Sequence, residues 1–195
     1  TPSNKHTAYI SADNEEMRRN IARFLASQTN GNARIIEICG LQSSSPAKDR
    51  QSGFDQEIGR HGNLTIVELL QSDWTEERAY QQMDSLLSTD HPSFNIVYAH
   101  NDCMAKGAMN AVKKHHLDLN KIKVLGTDAV AEDGGGLQMV RDGKLLASYL
   151  YPTRGDKVMK LAFDILEKKK FKRDNLLSSA LVTSDNANVL LMQND

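Results

Sequence analysis

The stretch NIVYAHNDCMAKGAMNAV, residues 95–112, decides the fold because it combines a short apolar run, a polar turn and a helix. The run IVYA is apolar without alternation, which is typical of a strand covered on both faces of a parallel sheet. The polar residues His100, Asn101 and Asp102 follow, and apolar residues then recur at helical spacing. These polar residues either cap the helix or bind a ligand at the end of the strand.

Similar apolar runs recur along the first two thirds of the chain. They begin near residues 7, 33, 64, 95 and 122, at intervals of 26, 31, 31 and 27 residues, with the sequences TAYIS, ARIIEIC, LTIVELL, NIVYA and IKVLG. Each interval has room for one crossover helix, which neighbouring parallel strands require. The sequence therefore predicts an α/β fold, a Rossmann-like three-layer α/β/α arrangement around a parallel sheet.

Capping patterns predict where the helices begin and end. The predicted starts are Asp13 with Glu16, Ser45 with Pro46, and Asp73 with Glu76, and a short helix runs from Gly136 to a stop at Gly143. After Gly143 the regular rhythm ends. LLASYLY predicts a strand, residues 155–169 predict a helix, and ALVTSDNANVLLM predicts one or two short final strands.

The composition excludes several classes of protein. The 195 residues include 24 basic and 25 acidic side chains, so nothing indicates a surface for nucleic acid. No run of 18 apolar residues occurs, and the residues after Thr1 lack the pattern of a signal peptide, as those of a mature exported chain also would. Cys39 and Cys103 do not form a disulfide framework, and we expect buried free thiols.

Polar residues follow each predicted strand. In an open parallel sheet, ligands bind beyond the carboxyl ends of the strands, so these residues are expected at one edge. Amide, carboxylate and basic groups suit a neutral polyol, and Trp74 offers a flat face for a sugar ring. Each residue taken alone is more often a cap or part of the core, and their joint occurrence favours a site. The edge comprises Asp13, Asn14, the segment GLQSSSPAKDR, Gln71 to Trp74, His100 to Asp102, Thr127, Asp128, Thr153 and Arg154.

Other chemistries find less support. The sequence lacks GxGxxG after a strand, a P-loop, a GxSxG elbow and a Cys-x-x-Cys pair. His115 and His116 are adjacent on a helix and do not share a face, so no metal site is predicted there. A nucleotide-binding enzyme of doubly wound fold, the rival class, needs a glycine turn after the first strand, and ISADNEEM has none. We expect no catalysis and no cofactor.

Five segments together carry a resemblance to a known family. The succession ISADN, GLQSSSPAKDRQSGF, YAHNDCMAKGA, VLGTDA and GGGLQMVRDGKLLASYLYP resembles the type I periplasmic binding proteins, which include ribose and galactose binders and LacI-like effector domains. The GGG-LQMV-DG and YPT details look most like the extracytoplasmic sugar-sensing domains of hybrid two-component histidine kinases. The resemblance implies two α/β lobes joined by a hinge, with the ligand in the cleft between them.

The resemblance also implies a division of the chain. Residues 8–151 would form the C-terminal ligand-binding lobe. Residues 152–175 would form the hinge and a helix that belongs to the N-terminal lobe, and residues 176–195 would return to the hinge as terminal strands. Most of the N-terminal lobe would then lie upstream in a longer parent protein.

Six residues are the predicted ligand contacts. The family's basic residue after the GxxGSSxA turn falls on Lys48, and Arg50 is expected to point elsewhere because two helix positions differ by about 200°. We expect Asn101 to face the ligand and Asp102 to cap the helix. Tyr151 stands where the family has glutamine. The full set is Lys48, Trp74, Asn101, Asp128, Tyr151 and, from the strand-end pattern, Arg154.

The resemblance implies non-enzymatic binding of a small sugar or sugar derivative, as the extracytoplasmic sensor input of a two-component kinase. Two alternatives stay open: a periplasmic solute-binding protein of an ABC sugar transporter, and the effector-binding core of a cytoplasmic LacI-type repressor. Expected partners are the carbohydrate, the remaining N-terminal lobe, kinase or transporter domains, and a second copy of the chain through the apolar stripe of helix 155–169. No direct contact with nucleic acid is expected from this segment.

Overall fold

A computed structural model describes residues 5–193 and confirms the predicted α/β fold. Strands and helices alternate through most of the chain. In order they are β1 Tyr9–Ala12, α1 Asn14–Gln28, β2 Ala33–Cys39, α2 Ser45–Ile58, β3 Leu64–Gln71, α3 Glu76–Leu87, β4 Ile96–Ala99, α4 Asp102–Lys114, β5 Lys123–Leu125, α5 Gly136–Arg141, β6 Ser148–Leu150, α6 Gly155–Leu166, β7 Asp174–Leu177, β8 Ala180–Val182 and α7 Ala187–Met192.

A four-stranded parallel sheet in the order β3-β2-β4-β5 forms the centre. Helices α1 and α2 cover one face, where Met17, Ile21 and Phe54 are buried. Helices α3, α4 and α5 cover the other, where Met83 and Met104 are buried. Because both faces carry helices, β2 and β4 are almost fully buried, as their apolar runs predicted.

Two small sheets complete the fold. Strand β1 pairs in parallel with β7, and β6 pairs antiparallel with β8. Single bridges from Leu125 to Ala147 and from Asp128 to Leu150 bring the β6 region beside the end of β5. The carboxyl ends of β2, β4 and β5 therefore meet the beginning of β6 at one edge of the molecule.

The C-terminal segment differs from the sequence prediction. Strand β8 is confirmed, but the residues after it form helix α7, whose Leu190 and Leu191 pack against the core beside α5. Strand β7 was not predicted, because charged residues precede it and only two leucines mark it. Helix α6 ends at Leu166, earlier than predicted, and Lys168 follows in the left-handed region with φ of 56°.

The helix starts confirm one prediction and correct two. Asp13 caps α1 through a 2.9 Å bond from the Glu16 N–H to its carboxylate. The N-cap position of helix α2 is Ser44, one residue before the expected Ser45, and the Ser44 hydroxyl donates to the Leu41 carbonyl instead of capping the helix. Helix α3 is capped by Thr75, and the Asp73 carboxylate instead accepts bonds from the Thr75 backbone and hydroxyl.

Helix α6 presents an apolar face to solvent. Within the described part of the chain, none of its residues is buried, and four of its large apolar residues are 41% to 77% exposed. We call the side chains of Val158, Met159, Phe163 and Leu166 the α6 face. A globular chain normally buries such a surface, so the α6 face is suited to contact other polypeptide.

The two cysteines differ in exposure. Both are free, and Cys39 is buried at the end of β2 as predicted. Cys103 is exposed, which corrects the prediction of a buried thiol. It is the second residue of α4 and lies off the stripe on which Met104 and Ala108 are buried. In residues 5–193, no helix has both the length and the apolar character needed to cross a bilayer.

Candidate ligand-binding site

Arg50 lies at the centre of the edge where β2, β4 and β5 end. Although charged, it is only 5% exposed. Its Nε donates to Asn14 Oδ1 at 3.0 Å, its Nη1 donates to the carbonyl of His100, and its Nη2 lies 3.7 Å from Asp128 Oδ1. Burial lowers the pKa of Arg50, and the charge of Asp128 opposes that shift. One guanidinium thus joins α1, α2, β4 and the loop after β5.

Two aromatic rings contact this guanidinium. The central carbon of Arg50 lies 5.3 Å from the ring centroid of Trp74 and 5.3 Å from that of Tyr151. Both distances are within the range of a cation–π interaction. Two of the predicted ligand contacts, which are far apart in sequence, therefore meet at Arg50.

Trp74 is fixed by its own backbone and by a glycine. Its φ of 78° is in the left-handed region, where a residue with a side chain is uncommon. Its indole lies so close to Gly40 that a Cβ on Gly40 would overlap the ring. The glycine after β2 is therefore required for the ring to pack against the end of that strand.

Asn101 caps helix α4, which reverses one expectation. Its Oδ1 accepts from the Met104 N–H at 2.8 Å, and its Nδ2 donates to the Trp74 carbonyl at 2.9 Å. The expected division, with Asp102 as cap and Asn101 facing the ligand, is wrong about the cap. An amide has two N–H donors and two oxygen lone pairs, so Asn101 keeps one of each for a further partner.

Asp128 offers the accessible carboxylate of the edge. Its side chain is 38% exposed, and its φ is 108°. Burial raises the pKa of Asp128, and the positive charges of Arg50 and Arg18 oppose that shift. When ionised, the carboxylate accepts hydrogen bonds only, which suits the hydroxyl groups of a polyol.

Lys48 and Arg154 are both exposed, unlike the buried Arg50. Lys48 is exposed beside a separate cavity of about 240 Å³ that Gln42 and Gln51 also line. Arg154 is exposed and donates to Asp156 at 2.9 and 2.7 Å, although it shares the lining of a cavity of about 390 Å³ with Asp128 and Tyr151.

The basic residue that contacts Trp74, Tyr151 and Asp128 is Arg50. Lys48 and Arg50 lie on different sides of α2, as the rotation of about 200° predicts, because Lys48 is exposed and Arg50 is buried. A direct ligand role for Lys48 and for Arg154 stays a prediction.

A buried polar network beneath the edge was not predicted. The Gly40 N–H donates to His100 Nδ1 at 3.3 Å, so the proton of a neutral His100 is on Nε2 and is donated to Glu37 Oε1 at 2.8 Å. Burial lowers the pKa of His100 and raises the pKa of Glu37 to about 8. Cys39 Sγ is 3.7 Å from His100 Nε2.

Glu37, Cys39 and His100 place three potential metal ligands within 4.8 Å of one another. However, the Nε2 atom that would coordinate carries the proton shared with Glu37, since Nδ1 accepts from the backbone. We therefore interpret the group as a hydrogen-bonded part of the core.

Arg18 extends the network from helix α1. It is fully buried, its guanidinium lies 4.8 Å from the Tyr98 ring centroid, and its Nη2 donates to the His100 carbonyl at 3.4 Å. Burial lowers the pKa of Arg18. The His100 carbonyl thus accepts from Arg18 and Arg50. The sequence signal that could have revealed Arg18 is a charged residue on the apolar stripe of α1, between Met17 and Ile21.

Comparisons with known proteins decide the family. A family model described as a periplasmic binding protein domain matches residues 1–170. The chain belongs to this family. Its fold is that of the type I periplasmic binding proteins, as the resemblance implied. Polar groups at the strand ends, with Arg50 at their centre, therefore lie at the carboxyl edge of the central sheet in a periplasmic binding protein domain.

Individual relatives are consistent with this membership. The chain is similar to the fructose-binding periplasmic domain of a hybrid two-component system, with a TM-score of 0.93 and 39% identity, covering 99% of this chain and 64% of that one. It is 31% identical to the galactofuranose-binding protein YtfQ of Escherichia coli over 88% of this chain and 53% of that protein. It is 29% identical to the ribose import binding protein RbsB of Salmonella typhimurium over 72% of this chain and 45% of that protein. The chain thus spans about half the length of these curated relatives.

Proposed function

We propose that this chain is one lobe of an extracytoplasmic sugar-binding domain that provides the sensor input of a two-component signalling kinase. The observation that carries the proposal is the convergence of Arg50, Trp74, Asn101, Asp128 and Tyr151 at the carboxyl edge of the sheet. The similarity to a fructose-binding sensor domain at 39% identity supports the sensor role and makes D-fructose the first ligand to test.

The edge suits a sugar by its distribution of donors and acceptors. The Asp128 carboxylate accepts from hydroxyl groups, while the Arg50 guanidinium and the free Asn101 N–H donate to hydroxyl oxygens. The Trp74 ring offers an apolar surface for the C–H face of the sugar. The proposed role is binding without catalysis.

The proposed layout follows the domain division implied by the sequence. Residues 8–151 form the C-terminal lobe, residues 152–175 form a hinge and a helix of the other lobe, and residues 176–195 return to the hinge. The exposed α6 face supports this layout, since α6 has an apolar surface that this chain leaves uncovered. A sugar that contacts both lobes would favour the closed cleft, and the kinase would respond to that change.

The alternative role is delivery of the sugar to an ABC transporter. The galactofuranose-binding and ribose import proteins favour it, at 31% and 29% identity. The two roles predict different gene products. A membrane span and kinase domains downstream of residue 195 indicate a sensor, a chain that ends soon after it indicates a transporter component, and an upstream helix-turn-helix indicates a LacI-type repressor.

The test compares two basic residues of α2 in the complete two-lobed domain. Calorimetric titration with D-fructose, D-ribose and D-galactose identifies the sugar, and Arg50→Ala is compared with Lys48→Ala as the matched control. Hydrogen bonds to a charged group contribute about 1.5–3 kcal/mol, so Arg50→Ala is expected to weaken binding by about tenfold to a hundredfold. Because Lys48 is exposed and lines a different cavity, we propose that Lys48→Ala binds nearly as the parent does, and weakened binding would instead support the ligand role predicted from the sequence.

Two results contradict the proposal. Absence of binding for every sugar by the parent domain rejects sugar binding. The second result is parental affinity in a folded Arg50→Ala variant together with weakened binding by Lys48→Ala. It would place the sugar on the side of α2 that carries Lys48.

A further inference from the structure

Asp102 lies directly beneath the ligand edge and faces three parts of the chain. It is 5% exposed. Its Oδ1 accepts from the Ser148 hydroxyl of β6 at 2.6 Å, and its Oδ2 accepts from the Ala129 backbone N–H at 2.7 Å. One carboxylate therefore joins the start of α4 to β6 and to the turn that follows β5.

The turn that Asp102 contacts has an unfavourable backbone conformation. Asp128 has φ of 108° and Ala129 has φ of 46°, so two successive non-glycine residues have positive φ. Residues with side chains adopt such angles only at an energetic cost, and they keep them only where surrounding contacts hold them. The Asp102 bond to Ala129 is such a contact, made one residue from the Asp128 carboxylate.

Two glycines, Gly126 and Gly136, leave room for the Asp102 carboxylate. A Cβ on Gly126 would overlap Asp102 Oδ1, and a Cβ on Gly136 would overlap Asp102 Oδ2. Gly126 precedes the turn at the end of β5, and Gly136 begins α5. The absence of side chains at these positions lets the carboxylate approach the backbone of the turn closely.

We propose that Asp102 is a positioning residue for ligand binding, which holds the Asp128–Ala129 turn so that the Asp128 carboxylate faces Arg50 and the sugar. This inference rests on the proposed function, in which Asp128 accepts bonds from sugar hydroxyls. Asp102 itself is enclosed and acts through the Ala129 N–H. The helix cap that the sequence assigned to Asp102 belongs to Asn101, which leaves the carboxylate free for this task.

The Asp102→Asn variant separates hydrogen bonding from charge. The amide oxygen can accept from the Ala129 N–H, and the amide N–H₂ can donate to the Ser148 hydroxyl oxygen, so both contacts are kept. Asp102→Ala removes both contacts, and Asp102→Leu removes them while filling more of the space. Ser148→Ala removes only the contact to β6 and is the matched control.

The experiment measures D-fructose binding by the complete two-lobed domain and amide hydrogen exchange in each variant, well below its melting temperature. Asp102→Ala is expected to weaken binding at least about tenfold and to speed exchange of the Ala129 amide. Asp102→Asn and Ser148→Ala are expected to retain parental binding to within about threefold. Restoration by asparagine is a result that loss of general stability would not give.

Parental affinity in a folded Asp102→Ala or Asp102→Leu variant overturns the positioning role. If neither variant folds, amide exchange in the parent protein is the test. If Asp102 holds the turn through the Ala129 N–H, the Ala129 amide exchanges far more slowly than the amides of the exposed Glu132 and Asp133. Equal exchange rates at these positions would overturn the positioning role. If the parent binds none of the sugars, the proposed function fails, and the exchange of Ala129 still decides whether Asp102 holds the turn.

Discussion

The polar edge of the central sheet and the α6 face differ in how well their side chains are satisfied within this chain. At the edge, Arg50, Asn101 and Asp102 are charged or polar yet almost enclosed, and each has hydrogen-bond partners. On α6, Phe163 and Leu166 are apolar yet mostly exposed. Buried polar groups are costly unless paired, whereas exposed apolar surface is stabilised by covering it. The edge therefore suits a small polar ligand, whereas the α6 face suits contact with another part of the polypeptide.

The largest expected effect comes from removing a buried partner of the edge. His100→Ala deletes the imidazole that donates to Glu37 and accepts from Gly40, and leaves the Glu37 carboxylate buried beside Arg18. Leaving buried groups without their hydrogen-bond partner costs about 1–3 kcal/mol of unfolding free energy, and the cavity left by a large buried side chain adds about 2–5 kcal/mol. Urea denaturation of the chain measures this loss.

The exposed Lys114→Ala variant is the matched control, because its partner Asp84 lies at the surface. We expect no measurable change from it. If His100→Ala is as stable as this control, the polar network does not support the edge.

The second prediction concerns the α6 face in two contexts. In this chain, Phe163→Ala is expected to change the free energy of unfolding by less than about 0.5 kcal/mol, because the ring is already exposed. In the two-lobed domain, the same substitution is expected to cost about 3 kcal/mol, as for a phenylalanine in a core. Equal effects in the two proteins would mean that the other lobe does not cover α6.

The third prediction is a pH dependence that arises from Asp102. Burial raises its pKa to about 7, so the folded protein holds a proton that the unfolded chain releases above its ordinary value of about 3.9. The stabilising contribution of the protonated group is complete below about pH 4 and is lost as the pH rises to about 7, at up to about 1.4 kcal/mol per pH unit.

Asp102→Asn does not titrate, so its stability should fall less over this range than that of the parent. Denaturation of both proteins at several pH values gives the difference. Identical slopes would contradict the shifted pKa.

The smallest expected effect is at Arg154, which pairs with Asp156 on the exposed start of α6. Asp156→Ala should leave the stability of this chain unchanged within error, because surface ion pairs contribute little. Thermal melts check this expectation, and a clear loss of stability would show that the start of α6 is more tightly held than its exposure indicates.

The sequence predicted the layers of the fold but not its polar detail. Continuous apolar runs indicate strands buried on both faces, and the intervals between the runs leave room for crossover helices. The parallel sheet could therefore be predicted from the sequence pattern. Strand β7, DNLL, carries only two apolar residues next to charged ones, and its pairing with β1 depends on a contact between distant segments. Local patterns do not contain that contact.

The candidate site was predicted only in part, because local patterns show strand ends but not contacts between distant segments. Trp74 and Asp128 were predicted because they follow strands, and Tyr151 was predicted from the family resemblance. The structure places Trp74 and Tyr151 against Arg50, with Asp128 near it. The sequence did not predict the contacts of Arg50 with these rings, because they depend on the rotation of α2 about its axis, which tertiary packing sets. The helix cap fell to Asn101 because Asp102 is bonded to the distant Ser148 and Ala129.

The most direct test of the account compares D-fructose binding by residues 1–195 and by the complete two-lobed domain, using calorimetric titration under the same conditions. We expect binding by the two-lobed domain and weak or no binding by this chain, because one edge supplies only its half of the contacts. Equal affinity for the two proteins, at the micromolar level, would contradict the claim that this edge needs a second lobe to hold a sugar.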